Sequence, residues 1–221
     1  MKLKSFGCSF IFGSDLQDDG RHGPYATHSH LTWPALLAKD HNWAYSCYAR
    51  PGAGNLEIAD QVLSQLSVTE LDPVVHVVGW TWIDRFGFLG SAHHRWGGPW
   101  RSIMPIDTDP VAEMYYKYIH SESRDKLTAL INVKVVIDTL KQRGHKFIMT
   151  YMDDLMFNPQ DNATPAIAEL QDYCKPYMTR FDNLSFLDYS KENGFEISQT
   201  QHPLEPAHQA AFELIRSYNL V

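Results

Sequence analysis

Two kinds of apolar pattern alternate along this chain, and together they predict strands alternating with helices. Short apolar runs predict five strands, at 3–9, 43–49, 73–79, 146–151 and 184–188. Between them, apolar residues recur at the spacing of one helix face and predict helices at 33–40, 56–66, 119–140, 166–175 and 207–218. Because short helical crossovers connect parallel strands, the pattern predicts an α/β fold with a five-stranded parallel sheet.

Local signals support several of these elements. The run 73–79 is rich in valine on both faces, as parallel strands buried on both sides tend to be. Asn55 can cap the helix over 56–66, and Thr164 can cap the helix over 166–175. Gly144 ends the long helix predicted over 119–140.

The segment 80–105 interrupts the alternation. A compact connection after a strand needs only a few residues, whereas loops of this length without regular structure are usually lids or binding loops. The aromatic rings of the segment 80–105 can pack against the C–H faces of sugars. The segment therefore predicts a carbohydrate-bearing substrate held by Trp80, Trp82, Arg85, Trp96 and Trp100. The same aromatic residues are also compatible with a satellite core or a homo-oligomer interface, and the sequence leaves these readings open.

Length and charge narrow the class of protein. A chain of 221 residues with 44% hydrophobic residues suits one domain over 1–221, with 80–105 as an insertion. A net charge of -7 argues against a nucleic-acid partner, because phosphate binding needs clustered lysine and arginine. The sequence has neither a membrane-length apolar run nor a signal-peptide pattern, and its three cysteines are widely spaced. We therefore expect a cytoplasmic protein with reduced thiols and no membrane partner.

Candidate chemistry begins at the end of the first predicted strand, with Gly7-Cys8-Ser9-Phe10 and then Gly13. Glycine at the strand end lets the backbone turn sharply, so the Ser9 hydroxyl can point into the crevice where open α/β sheets bind ligands. This is the position of a serine nucleophile. Cys8 alternates to the opposite face and is expected to be a small buried residue.

Two further blocks accompany the serine. Arg50-Pro51-Gly52-Ala53-Gly54-Asn55 follows the second predicted strand, and His202 lies in the block His202-Pro203-Leu204-Glu205 that leads into the last helix. A histidine on that loop can reach back to the end of the first strand. His202 is therefore the predicted general base, with His208 as an alternative.

In content and order, these blocks resemble the SGNH (GDSL-like) hydrolases, in a divergent Gly-Cys-Ser-Phe form found in bacterial and phage genomes. The resemblance implies a flavodoxin-like three-layer α/β/α sandwich and a serine esterase or deacetylase without a cofactor. It assigns Ser9 as nucleophile and His202 as base. The oxyanion hole would be formed by the backbone N–H groups of Ser9 and Gly52, helped by Asn55 or Thr81.

This sequence departs from the family pattern at two places. Gly79-Trp80-Thr81-Trp82 stands where Gly-x-Asn-Asp is expected, and Gln199 stands where an aspartate would precede the base by three residues. The candidates for orienting His202 are then a backbone carbonyl, Gln199, Glu205 or the pair Asp153-Asp154. Two functions follow: an esterase acting on an acylated saccharide, or a catalytically degenerate binding or structural module.

Metal binding is not expected. His22, His28 and His30 lie in one loop and His93-His94 in another, without the spacing of ligands on a helix and without an accompanying cysteine cluster. Acyl transfer by a serine nucleophile needs no metal ion.

Overall fold

The computed structural model describes residues 1–22, 26–90, 99–152, 154–160 and 162–221. In these ranges the strands are β1 (Lys2–Phe6), β2 (Ala44–Cys47), β3 (Val74–Trp80), β4 (Phe86–Leu89), β5 (Trp100–Ile103) and β6 (Lys146–Tyr151). The helices are α1 (Ser9–Phe12), α2 (Trp33–Asp40), α3 (Asn55–Leu66), α4 (Pro110–Tyr118), α5 (Glu122–Gln142), α6 (Pro165–Cys174), α7 (Phe186–Glu192) and α8 (Glu205–Ser217). Among these helices none is long and apolar enough to cross a membrane.

The central sheet has the strand order β2-β1-β3-β6, and every pairing in it is parallel. Helices α2, α3 and α5 form crossovers between successive strands of this sheet, which is the connection that parallel pairing requires. The predicted α/β fold with a parallel sheet is therefore confirmed.

The two faces of the sheet are covered by separate apolar clusters. Leu3 and Val77 belong to a cluster completed by α2 and α8, whereas Phe6 and Val78 belong to a cluster completed by α3 and α5. This division follows from the two-residue period of a strand, which sends alternate side chains to opposite faces. Burial of each such side chain contributes about 1.5–3 kcal/mol, so both helical layers are held by the sheet.

The fifth predicted strand is wrong. Residues 186–192 form helix α7 because Ser185 caps its N-terminus: the Ser185 hydroxyl accepts from the Asp188 N–H at 3.3 Å and donates to the Asp188 carboxylate at 2.6 Å. The place of a fifth strand is taken by a single parallel bridge between Met149 and Met178, with the Thr179 N–H donating to the Met149 carbonyl at 2.7 Å.

The segment 80–105 is not an irregular loop where the structure describes it. Strands β4 and β5 pair as an antiparallel hairpin, which packs on α4 through Phe86 and Tyr115, whose ring centroids are 4.2 Å apart. Residues 91–98, which include Trp96 and the pair His93-His94, lie outside the described residues. The long helix predicted over 119–140 begins later, because Ser121 caps α5 by accepting from the Arg124 N–H at 3.3 Å.

Candidate active site

Ser9 is the first residue of α1, directly after the turn that ends β1. Gly7 makes this turn possible: a Cβ at that position would lie 2.6 Å from Ile11 Cγ1 and 2.9 Å from the Gly79 carbonyl oxygen. Glycine thus lets the ends of β1 and β3 approach each other beside the serine. Ser9 is 6% exposed, and in the described part of the chain its hydroxyl makes no hydrogen bond.

His202 reaches the same edge of the sheet from the turn before α8. The Ser198 N–H donates to the His202 carbonyl at 2.8 Å, and the His202 N–H donates to the Ser198 hydroxyl at 3.1 Å. Gln201 takes a left-handed φ of 66° to close this turn. The imidazole centroid lies 5.3 Å from that of the Phe10 ring, so the turn brings the base to the residue that follows Ser9.

Sequence reasoning missed Asp15 as the partner of His202. Its Oδ2 lies 2.7 Å from His202 Nδ1, although 187 residues separate the two in sequence. Asp15 follows α1 by three residues and adopts a left-handed φ of 70°, which aspartate tolerates better than most side chains. Ser9 and Asp15 therefore come from one short segment of the chain.

Among the side chains proposed from sequence to orient the imidazole, none that the structure describes is bonded to His202. The Glu205 carboxylate accepts from the Gln17 N–H at 2.6 Å, and Gln199 is exposed. Asp154 faces Arg180 with an N–O separation of 3.9 Å, while Asp153 lies outside the described residues. Asp15 corrects these expectations.

A polar network fixes the Asp15 carboxylate. Oδ2 accepts from the Ser198 hydroxyl at 2.6 Å and also from the Thr200 hydroxyl, while Oδ1 pairs with Arg21 Nη2. Arg21 Nε in turn lies 2.9 Å from Asp19 Oδ2, which also accepts from the Asp15 N–H at 2.8 Å. Both carboxylate oxygens thus have donors, which sets the direction in which Asp15 faces the imidazole.

The electrostatics of the Asp15–His202 pair favour a neutral His202 beside an ionised Asp15. Burial acts to raise the pKa of Asp15, but hydrogen bonds from Ser198, Thr200 and His202 outweigh it and hold this pKa well below its usual range. Burial lowers the pKa of His202 below 6.5, partly offset by Asp15. At neutral pH the Nδ1–H of His202 therefore donates to a carboxylate, and Nε2 keeps its lone pair.

The alternative base, His208, has a structural role. Its Nδ1 accepts from the backbone N–H of Trp33 at 3.2 Å, and burial lowers the pKa of His208 to about 3. It holds α8 against α2 as a neutral side chain.

The Gly52 turn lies against the end of β1. The Arg50 N–H donates to the Gly7 carbonyl at 3.1 Å, and Gly52 has a left-handed φ of 83°. The Arg50 guanidinium donates two hydrogen bonds to the buried carboxylate of Glu57 in α3, from Nε to Oε1 at 2.6 Å and from Nη2 to Oε2 at 2.5 Å. Within the described residues, neither the Gly52 N–H nor the Ser9 N–H donates a hydrogen bond, so both are available to an oxyanion.

Asn55 and Thr81 are bonded to each other instead. Asn55 Nδ2 donates to the carbonyls of Thr81 and Trp82 at 3.1 and 3.4 Å, and its Oδ1 accepts from the Thr81 N–H at 2.9 Å. The amide of Asn55 therefore holds the chain as it leaves β3. The cap expected of this side chain is not formed, because Gly54 occupies the N-cap position without a side-chain bond.

The predicted substrate contacts separate into three groups. Trp82 lies beside the candidate site, with its ring centroid 5.4 Å from that of Phe10, and Arg85 lies 5.4 Å from the Trp82 ring. Trp80 is fully buried in the core beneath the sheet, and the Trp100 indole donates to Asp60 of α3 at 2.9 Å. Trp96 lies outside the described residues.

No protein-family model matches the sequence, and no curated protein matches it. Solved structures match it over nearly its whole length. One is a member of the lipolytic G-D-S-L family from Veillonella parvula, 14% identical with a TM-score of 0.53, covering 98% of this chain and 97% of that one. A second is a lipolytic protein of the same family from Desulfitobacterium hafniense, 12% identical with a TM-score of 0.50, covering 98% of both chains.

A third similar structure is a family two carbohydrate esterase from Clostridium thermocellum. It is 11% identical with a TM-score of 0.52, and the match covers 98% of this chain and 62% of that one. At such identities the likeness concerns architecture. The chain therefore shares the α/β architecture of these lipolytic and esterase structures, which is the fold that its three sequence blocks predict.

Proposed function

We propose that this protein is a serine esterase in which Ser9 is the nucleophile, His202 the general base and Asp15 the acid that orients it. The observation that carries the proposal is the 2.7 Å contact between Asp15 and His202 Nδ1, formed where the imidazole contacts the residue after Ser9. A carboxylate on Nδ1 fixes the tautomer that leaves Nε2 free to accept a proton, as in serine hydrolase triads.

The proposed reaction is acyl transfer to the serine and then to water. His202 Nε2 removes the proton of the Ser9 hydroxyl as Oγ attacks the ester carbonyl carbon, and the carbonyl oxygen becomes an oxyanion held by the N–H groups of Ser9 and Gly52. The ester C–O bond then breaks, and the imidazolium returns its proton to the departing alcohol. Water attacks the acyl-serine by the same proton transfers and releases the acid.

The proposed substrate is the acyl ester of a saccharide. The support is the combination of aromatic and hydrogen-bonding side chains beside the site, such as Trp82 and Arg85. A carbohydrate esterase among the structures of similar fold makes this class a reasonable first choice for assay.

The test is hydrolysis of p-nitrophenyl acetate and of acetylated glycosides by the wild type, Ser9→Ala and His202→Ala. Each substitution should remove most of the activity, and the double variant should be little worse, because residues that act as a unit are not additive. Labelling of Ser9 by a fluorophosphonate, lost in His202→Ala, reports the same pair without a known substrate. Equal activity in the wild type and Ser9→Ala would refute the proposal.

The second candidate is a non-catalytic binding module. It is favoured by the low exposure of Ser9 and by the lack of a hydrogen bond from its hydroxyl to His202 within the described residues. Catalytic hydrogen bonds are often loose without substrate, so we rank it second. Saccharide binding that is equal in the wild type and Ser9→Ala, with neither ester hydrolysis nor fluorophosphonate labelling, would establish it.

A further inference from the structure

A cleft of about 520 Å³ opens at the carboxyl edge of the sheet, beside the candidate site. Its walls come from the segments that follow β3 and β6 and from the chain near α7. Trp82, Tyr151 and Phe157 provide aromatic surface, and Asp154 and Arg180 provide polar groups. Ligands of open α/β sheets bind at this edge, and the volume is within the range of small-molecule sites.

The cleft adjoins the proposed catalytic residues through one ring. Phe10, directly after Ser9, lies with its centroid 5.3 Å from that of His202 and 5.4 Å from that of Trp82. Trp82 is also a wall of the cleft. A molecule lying against Trp82 therefore also faces the residues at the end of β6 and after it, which form another wall of the cleft.

Arg180 has hydrogen-bonding capacity that the described residues leave unused. Its Nε is buried and has no partner among them, and its Nη2 lies 3.9 Å from Asp154 Oδ1, beyond hydrogen-bond length. Its guanidinium carbon lies 6.0 Å from the Tyr151 ring centroid. Because Nε is shielded while the Arg180 side chain as a whole is 34% exposed, a ligand in the cleft can accept hydrogen bonds from the terminal nitrogens of the guanidinium.

Among the described residues that line the cleft, the charges balance: Lys175 and Arg180 contribute two positive charges, and Asp154 and Asp188 contribute two negative charges. These residues therefore give an anionic ligand no net attraction. A guanidinium beside a carboxylate instead presents donors next to acceptors, which matches neighbouring hydroxyl groups of a neutral polyol.

We propose that this cleft is a subsite for a neutral pyranose unit, with one face of the ring on Trp82 and two neighbouring hydroxyls shared between Arg180 and Asp154. The inference rests on the proposed esterase function, because the pyranose would be the alcohol part of the ester. It assigns Arg180 and Asp154 as specificity-determining residues and gives Trp82 the platform role that sequence analysis shared among five residues.

The kinetic test compares selectivity, expressed as kcat/KM for an acetylated neutral methyl glycoside divided by kcat/KM for p-nitrophenyl acetate. In Arg180→Ala and in Asp154→Ala this ratio should fall about 10- to 100-fold, the effect of losing hydrogen bonds to a charged group. Arg216→Ala is the matched control, since Arg216 is an exposed arginine on α8 whose carboxylate partner is Asp40 at 3.6 Å. It should leave the ratio unchanged.

A binding measurement separates this inference from the esterase proposal. Titration calorimetry of Ser9→Ala with the deacylated methyl glycoside needs no turnover, and adding Arg180→Ala should weaken binding about tenfold or more. If p-nitrophenyl acetate is hydrolysed through Ser9 but neither the ratio nor the binding responds to Arg180→Ala, the subsite is refuted and the esterase stands. A preference of tenfold or more for an acetylated uronate over the neutral glycoside would also overturn the assignment. Binding without hydrolysis would support the subsite and refute the esterase.

Discussion

Replacing Asp15 by asparagine tests the reassigned acid most directly. The change removes the charge that faces His202 Nδ1 at 2.7 Å while keeping the shape of the side chain. A hydrogen bond to a charged group contributes about 1.5–3 kcal/mol, which at 1.36 kcal/mol per tenfold in rate is about 10- to 150-fold. Loss of the correct tautomer adds to this, since the equivalent change in a serine protease triad lowers kcat about 10⁴-fold. We therefore expect kcat to fall by about 10²- to 10⁴-fold.

The same substitution should also shift the pH dependence of activity in a defined direction. Burial lowers the pKa of His202, whereas the hydrogen bond and charge of Asp15 raise it. The neutral imidazole is the active form, so activity is present above the pKa of His202 and is lost as pH falls through it. In Asp15→Asn the raising contribution is gone, and the acid limb of kcat/KM should move to lower pH.

The assay is ester hydrolysis from pH 4 to pH 8, with thermal unfolding measured alongside. Asp19→Asn is the matched control: Asp19 binds Arg21 and the Asp15 N–H but is not bonded to His202. Asp19→Asn should move the acid limb much less than Asp15→Asn does. A rate for Asp15→Asn within a few-fold of the wild type, with Ser9→Ala inactive, would refute the role of Asp15.

Three further predictions concern neighbouring contacts. Arg21→Gln removes a cation that lowers the pKa of His202, so the acid limb should move to higher pH, opposite to Asp15→Asn, and a shift to lower pH would contradict the network. Asn55→Ala leaves the buried Thr81 N–H unpaired at a cost of about 1–3 kcal/mol, which should lower Tm by several degrees; an unchanged Tm with lost activity would make Asn55 an oxyanion donor instead. Ser185→Ala removes a helix cap worth about 1 kcal/mol and should lower Tm by about 2–4 °C, whereas an unchanged Tm would show that the Ser185 cap does not stabilise α7.

The elements predicted well are those whose signal is local. The valine-rich strand β3 and the helices α2, α3 and α8 follow from periodicity within a single segment. The roles proposed for Ser9 and His202 rest on short motifs beside these elements and stay predictions. The strand expected over 184–188 failed because its apolar residues fit either period, and the outcome depends on the cap formed by Ser185 and Asp188. A serine followed three residues later by an acidic residue is a sequence signal for a helix N-terminus, and here it favours the helix.

The acid could not be predicted in the same way. Asp15 lies in a stretch without apolar periodicity, and its conformation depends on contacts with Asp19 and Arg21 nearby and with Ser198 and Thr200 at the other end of the chain. Short-range patterns carry no information about a pair 187 residues apart. The position of Asp15, six residues after Ser9, points to a contact with His202 only when the turn after α1 is known.

The position of Asp15, the proposed acid, is consistent with what a triad requires. The chemistry needs a carboxylate on Nδ1 and a free Nε2 near the serine, and it places no demand on where in the chain the carboxylate arises. Here the left-handed turns at Asp15 and Gln201 bring the two loops together, and Ser198 binds both the acid and the backbone of the base. Because Asp15 follows α1 by three residues, movement of that helix would displace the proposed nucleophile and the proposed acid together. The turn that carries His202 is then the part that sets their alignment.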